Sequence, residues 1–103
     1  MAKACSLPNP IARLSGDGIA GPLLLQSHID VVLANPERWQ HPPFSGDLVD
    51  GFLWGWGSLD MKGGIAMMLR AILRAKTDRM TSAGDIVLAL VSDEESGGDQ
   101  GAR

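Results

Sequence analysis

The segment "IVLALV", residues 86–91, is apolar at every position. A strand with one wet face alternates apolar and polar residues, so an unbroken run needs cover on both faces and marks an interior strand. A second such run, Leu23-Leu24-Leu25 in "GPLLLQSHIDVV", begins after Gly21-Pro22. Between the two, "IAMMLRAILRAK" places Ile65, Met68, Leu69, Ile72 and Leu73 at helical spacing, with Arg70, Arg74 and Lys76 largely opposite. Two interior strands with a helix between them predict parallel pairing and a right-handed connection. The expected fold class is therefore α/β, a parallel or mixed sheet with a crossover helix.

Smaller elements fit around this frame. "LVDGFLWG" predicts a tight hairpin about Asp50-Gly51, a pair that favours positive φ. "IARLSGDG" is consistent with a short strand ending at Gly16-Asp17-Gly18, and residues 34–47, with three prolines, predict a loop. Residues 1–10, polar and carrying Pro8 and Pro10, are expected to form a flexible arm before a domain over 11–103.

Length and charge exclude several classes of function. A chain of 103 residues is long enough for one modest domain and too short for two. A net charge of −3 gives no electrostatic reason to bind nucleic acid or an anionic membrane. Cys5 is the only cysteine, so no intrachain disulfide can form and a cysteine-based zinc site is excluded. The N-terminal stretch lacks the apolar core of a signal peptide, and no apolar run approaches the ~20 residues of a membrane span. The expectation is a soluble, cytoplasmic protein.

Parallel strands end on one edge of a sheet, which is where α/β proteins place their ligands. His28 and Asp30 follow the first apolar run, Asp93, Glu94 and Glu95 follow the second, and Asp60 precedes the helix. Each group has an ordinary reading beside a chemical one. His28 could hydrogen-bond a carbonyl while Asp30 caps a turn, or it could bind a metal with Asp30 orienting its other ring nitrogen. Asp60 could be a helix N-cap, or a carboxylate offering one oxygen to each of two cations. A phosphate loop fits poorly, because Lys62 precedes the glycines in "GSLDMKGG". Glu94 and Glu95 could be a solvated first turn. A bound cation would instead turn their mutual repulsion into attraction, and one could ligate while the other moves protons.

Taken together, "SHIDVV", "WQHPPFSGDLVDGFLWGWGSLDMKGGIAMML" and "LVSDEESGG" resemble the zinc exopeptidase and deacylase family of acetylornithine deacetylase, succinyl-diaminopimelate desuccinylase and aminoacylase. The resemblance runs from about Ile11 to Arg103, in order and spacing. It implies hydrolysis of an amide bond in a small peptide or N-acyl amino acid, with two zinc ions, or sometimes cobalt. It also implies metal ligation by His28, Asp60 and Glu95, with Asp60 bridging, a general-base role for Glu94 and an orienting role for Asp30. The Asp60–Met61 peptide is expected to be cis on the same ground. Trp56 stands where many members have arginine, which implies altered packing or contact there.

The family's usual site takes two more ligands, a carboxylate some way beyond the glutamate pair and a histidine near the C-terminus of a much longer chain, and neither stands at such a position in the 103 residues. The family's dimerisation domain is likewise not represented. The expectation is a partial catalytic domain whose isolated chain holds zinc weakly and is inactive. The alternative is a non-catalytic small domain acting as a binding or self-association module. Unpaired sheet edges favour self-association in either case.

Overall fold

The computed structural model describes residues 8–99 and 101. Cys5 and the first seven residues of the expected arm lie outside these. Pro8, Asn9 and Pro10 lie along the sheet. Leu90 N–H donates to the Pro10 carbonyl, Ser92 N–H to Asn9 Oδ1, and the Ser92 hydroxyl to Asn9 Oδ1 and the Pro8 carbonyl.

Three strands form the main sheet: β1 (Ile11–Leu14), β2 (Leu23–His28) and β5 (Ile86–Val91), in the order β1-β5-β2. β5 runs parallel to β2, with Leu23 opposite Ile86 and His28 opposite Val91, and antiparallel to β1. The sheet is thus mixed. The segment with no alternation, β5, takes the central position and supplies Leu88 and Val91, which are buried together with Ile65 of the helix region. β2 is different. Leu23 and Leu24 are 56% and 58% exposed, because β2 sits at the sheet's edge and only its C-terminal end, Ser27 and His28, is enclosed.

β3 (Asp47–Val49) and β4 (Phe52–Trp54) form a separate hairpin. Val49 pairs with Phe52, leaving Asp50-Gly51 as a two-residue turn with φ of 51° and 82°. Positive φ at both positions matches the right-handed twist of the strands, as in a type I′ turn. Residues 34–46 are irregular apart from a helical turn at Pro36–Arg38, where Asn35 accepts a hydrogen bond from Glu37 N–H; Asp47, at the end of the expected loop, already belongs to β3.

The helix α1 (Gly63–Thr77) connects β4 to β5. Its Leu69, Ile72 and Leu73 face Leu14, Ile86 and Leu88 across a gap of about 200 Å³. The molecule is thin, 52 × 47 × 18 Å, with a radius of gyration of 17.0 Å. A compact domain of this length has about 13 Å. Extra breadth means little interior, which is why so few side chains are buried. Among the described residues no helix is long and apolar enough to cross a membrane.

Candidate metal centre

Parallel pairing of β2 with β5 brings both C-terminal ends to one rim. His28 is the last residue of β2, buried at 8% exposure, and the chain then turns so that Asp30 folds back beneath it. His28 Nδ1 lies 3.1 Å from the Asp30 carbonyl oxygen and 3.6 Å from Asp30 Oδ1. Beyond β5, Asp93 takes a left-handed conformation with φ 65°, and Glu94–Ser96 form a single helical turn. That turn is fastened to the histidine's support, because Glu95 N–H donates to Asp30 Oδ2 at 3.0 Å. Asp30 therefore holds both sides of the rim.

The third contribution comes from the wide turn Ser58–Lys62 that leads into α1. Asp60 and Met61 depart from helical geometry there, and the peptide between them is cis. The helix is preceded by Lys62 with no side-chain cap, so Asp60 does not serve as N-cap. Its Oδ1 lies 3.2 Å from His28 Nε2. Lys62 Nζ donates to the Ile29 carbonyl and fixes the turn against the end of β2. Gly57, before the turn, has φ 79°, and a Cβ there would meet Val31 Cγ1 at 2.5 Å, so both its conformation and its space require glycine.

Every residue singled out in the sequence for this chemistry reaches the rim. His28, Glu94 and Glu95 can each present a ligand atom such that all lie within 4.8 Å of one another. Glu94 Oε2 is 3.8 Å from His28 Nε2, and Asp60 approaches the same nitrogen from the other segment. Glu94 thus stands among the donor groups together with Glu95. His41, the other histidine, is elsewhere, its ring tilted by 56° against Trp54 of the hairpin with centroids 4.6 Å apart.

The donor set suits a divalent cation for a reason visible in the hydrogen bonds. A carbonyl only accepts, so His28 Nδ1 must carry the proton that it shares with Asp30. In neutral imidazole that leaves Nε2 with a lone pair facing the oxygens of Asp60 and Glu94, acceptor against acceptor. Either a proton or a cation must sit between them. Burial works against a charge on His28 and is the largest influence. The Asp30 carbonyl, Glu94 and Asp60 together outweigh it and hold the pKa above its ordinary value of 6.5. An imidazole fixed through Nδ1, with Nε2 aimed at carboxylates, is also how metal-binding histidines are oriented.

Sequence reasoning did not find the wall beside this cluster. Trp39 and Trp56 pack edge to face with ring centroids 5.3 Å apart, and Trp56 Nε1–H donates to the Val32 carbonyl at 2.6 Å. They come from a proline-rich loop and a glycine-flanked turn, where no periodicity signals a shared surface.

An α/β sheet that presents an imidazole and several carboxylates at its strand ends has the donor set for a divalent cation. Residues 24–103 match the profile of peptidase family M20/M25/M40, and the chain belongs to that family. It is 39% identical over 98 residues to the succinyl-diaminopimelate desuccinylase of Paracoccus denitrificans, covering 94% of this chain and 25% of that protein. It is 46% identical over 93 residues to the desuccinylase of Methylorubrum extorquens, covering 88% and 23%. A Dictyostelium discoideum protein named "Probable carboxypeptidase S-like 2" is 39% identical over 82 residues, covering 79% and 16%. The chain spans about a quarter of the length of the two desuccinylases.

Proposed function

We propose that this chain carries part of a zinc-dependent site that hydrolyses the amide bond of a small peptide or N-acyl amino acid. The observation that supports it most is the convergence of His28, Glu94 and Glu95 ligand atoms within 4.8 Å, with Asp60 beside His28 Nε2. His28, Asp60 and Glu95 would hold the metal, Asp60 offering an oxygen to each of two ions. Bound there, zinc would polarise the scissile carbonyl and acidify the attacking water.

The chain's own residues supply positioning and proton transfer. Asp30 fixes the imidazole through its carbonyl and fixes the glutamate turn through its carboxylate. Glu94, with a side chain 54% exposed, is the acid of the pair that meets solvent, and Glu95 is half-buried. We assign Glu94 to take a proton from water as the new C–O bond forms, and to return it to the amine nitrogen as the C–N bond breaks. The carboxylate ends as it began, and the products are a carboxylic acid and an amine.

One imidazole and a few partly exposed carboxylates make a weak site, so the 103-residue chain alone should bind at most one zinc ion, weakly, and turn over little or no substrate. Calorimetric titration with zinc, coupled to an amide-hydrolysis assay, tests the reading. Saturable binding that weakens at least tenfold in both His28→Ala and Glu95→Gln is expected. Unchanged binding in either variant, or zinc-dependent turnover that survives Glu94→Ala, would contradict it.

A further inference from the structure

Beside the acid cluster lies a cavity of about 270 Å³. Val31, Val32, Trp39, Trp56 and Leu59 wall it, and Asp60 and Glu95 of the cluster line it too. Trp56 spends its indole N–H on the Val32 carbonyl, and Trp39 braces it edge-on, so the two rings are held in place and offer hydrocarbon and π surface. Among the described residues, no basic side chain lines the space. In the metal-free chain an anionic substituent would meet the carboxylates of Asp60 and Glu95 there, whereas a neutral apolar one would gain burial against two indoles.

We propose that this pocket sets specificity: it takes the neutral aromatic or branched-aliphatic group flanking the scissile amide. Its place beside a scissile amide rests on the hydrolase reading above; the preference for a neutral apolar group rests on the walls alone. The size agrees. An apolar cavity of about 150 Å³ holds benzene, so 270 Å³ holds a ring with its linking atoms. Complete small ligands usually occupy about 300–1,000 Å³. The pocket therefore takes one substituent and leaves the amide at its rim, next to Asp60 and Glu95.

Titration of the 103-residue chain with N-benzoylglycine and N-succinylglycine, followed by the indole N–H resonances, tests this without turnover. Trp54, against His41 and outside the pocket, is the internal control. N-benzoylglycine should shift Trp39 and Trp56, leave Trp54 in place, and bind at least tenfold more tightly than N-succinylglycine. Trp56→Arg should weaken benzoyl binding at least fivefold. Leu59→Asp, at a position 93% exposed where folding is not at stake, should do the same. Equal affinity for the two probes, shifts at Trp54 alone, or parental affinity in Leu59→Asp would overturn the proposal. Parallel titration with cobalt separates the two readings. Pocket shifts without cobalt binding would remove the hydrolase reading and keep the apolar pocket; cobalt binding with no discrimination between probes would do the reverse.

Discussion

Asp30 ties the two halves of the rim together, and its removal has a calculable effect. Its Oδ2 accepts Glu95 N–H at 3.0 Å, and its Oδ1 lies 3.6 Å from His28 Nδ1. The carboxylate is 22% exposed, so the bond to Glu95 is only partly screened by water. A hydrogen bond to a charged group contributes about 1.5–3 kcal/mol. If Asp30→Ala lets the Glu94–Ser96 turn move freely, cation binding must restore that order. At about 1.4 kcal/mol per decade, affinity then falls roughly 10- to 100-fold. Losses of that size are typical when residues supporting metal ligands are removed. Calorimetric titration of parent, Asp30→Ala and Asp30→Asn with zinc measures it. Asp30→Asn can keep an oxygen on Glu95 N–H and should lose less than Asp30→Ala. Asp47→Ala, on the exposed hairpin, serves as the surface control. Parental zinc affinity in Asp30→Ala, with the fold intact by circular dichroism, would refute the coupling.

Three further outcomes follow from the same contacts. Leu88, 2% exposed in the central strand, is the most enclosed apolar side chain among the described residues, and Leu88→Ala should destabilise the chain by about 2–5 kcal/mol in urea unfolding; a loss well under about 1 kcal/mol would mean that β5 is not the core. His28 has a raised folded pKa, so in metal-free protein its stabilising charge is fully present below its unfolded value near 6.5 and is lost as pH rises through the higher folded value. Metal-free stability should therefore fall over that window while zinc affinity rises, and the opposite trends in a pH series of melts and titrations would contradict it. The outer edge of β2, unpaired among the described residues and with Leu23 and Leu24 exposed, should pair with a second copy. Light scattering should show association that Leu24→Lys reduces, and a clean monomer at high concentration would count against it.

How much of this could be read in the sequence depends on the signal each element carries. β5 was legible because an unbroken apolar run needs cover on both faces, and the hairpin because Asp-Gly specifies its turn. The apolar start of β2 misleads, since the composition of an edge strand does not say which side its neighbours occupy. The antiparallel addition of β1 to β5 left no mark, because four residues carry too little pattern to fix a partner. Placement of His28 and the glutamate pair on one rim followed from parallel strands ending together. Asp60 was harder: beside a helix start an aspartate reads as a cap, and only the departure from helical geometry at Asp60 and Met61 turns it toward His28. The meeting of Trp39 and Trp56 depends on two irregular segments, and nothing in spacing encodes it.

The central claim is that the imidazole of His28 and the carboxylates around it converge to hold a divalent cation. Crystals of the chain grown with zinc, with anomalous data collected at the metal's absorption edge, test it most directly. The account predicts a peak about 2.0–2.2 Å from His28 Nε2 and from an oxygen of Glu95 or Asp60. A fully occupied zinc elsewhere, with Nε2 still bonded only to the Asp60 carboxylate, would contradict it.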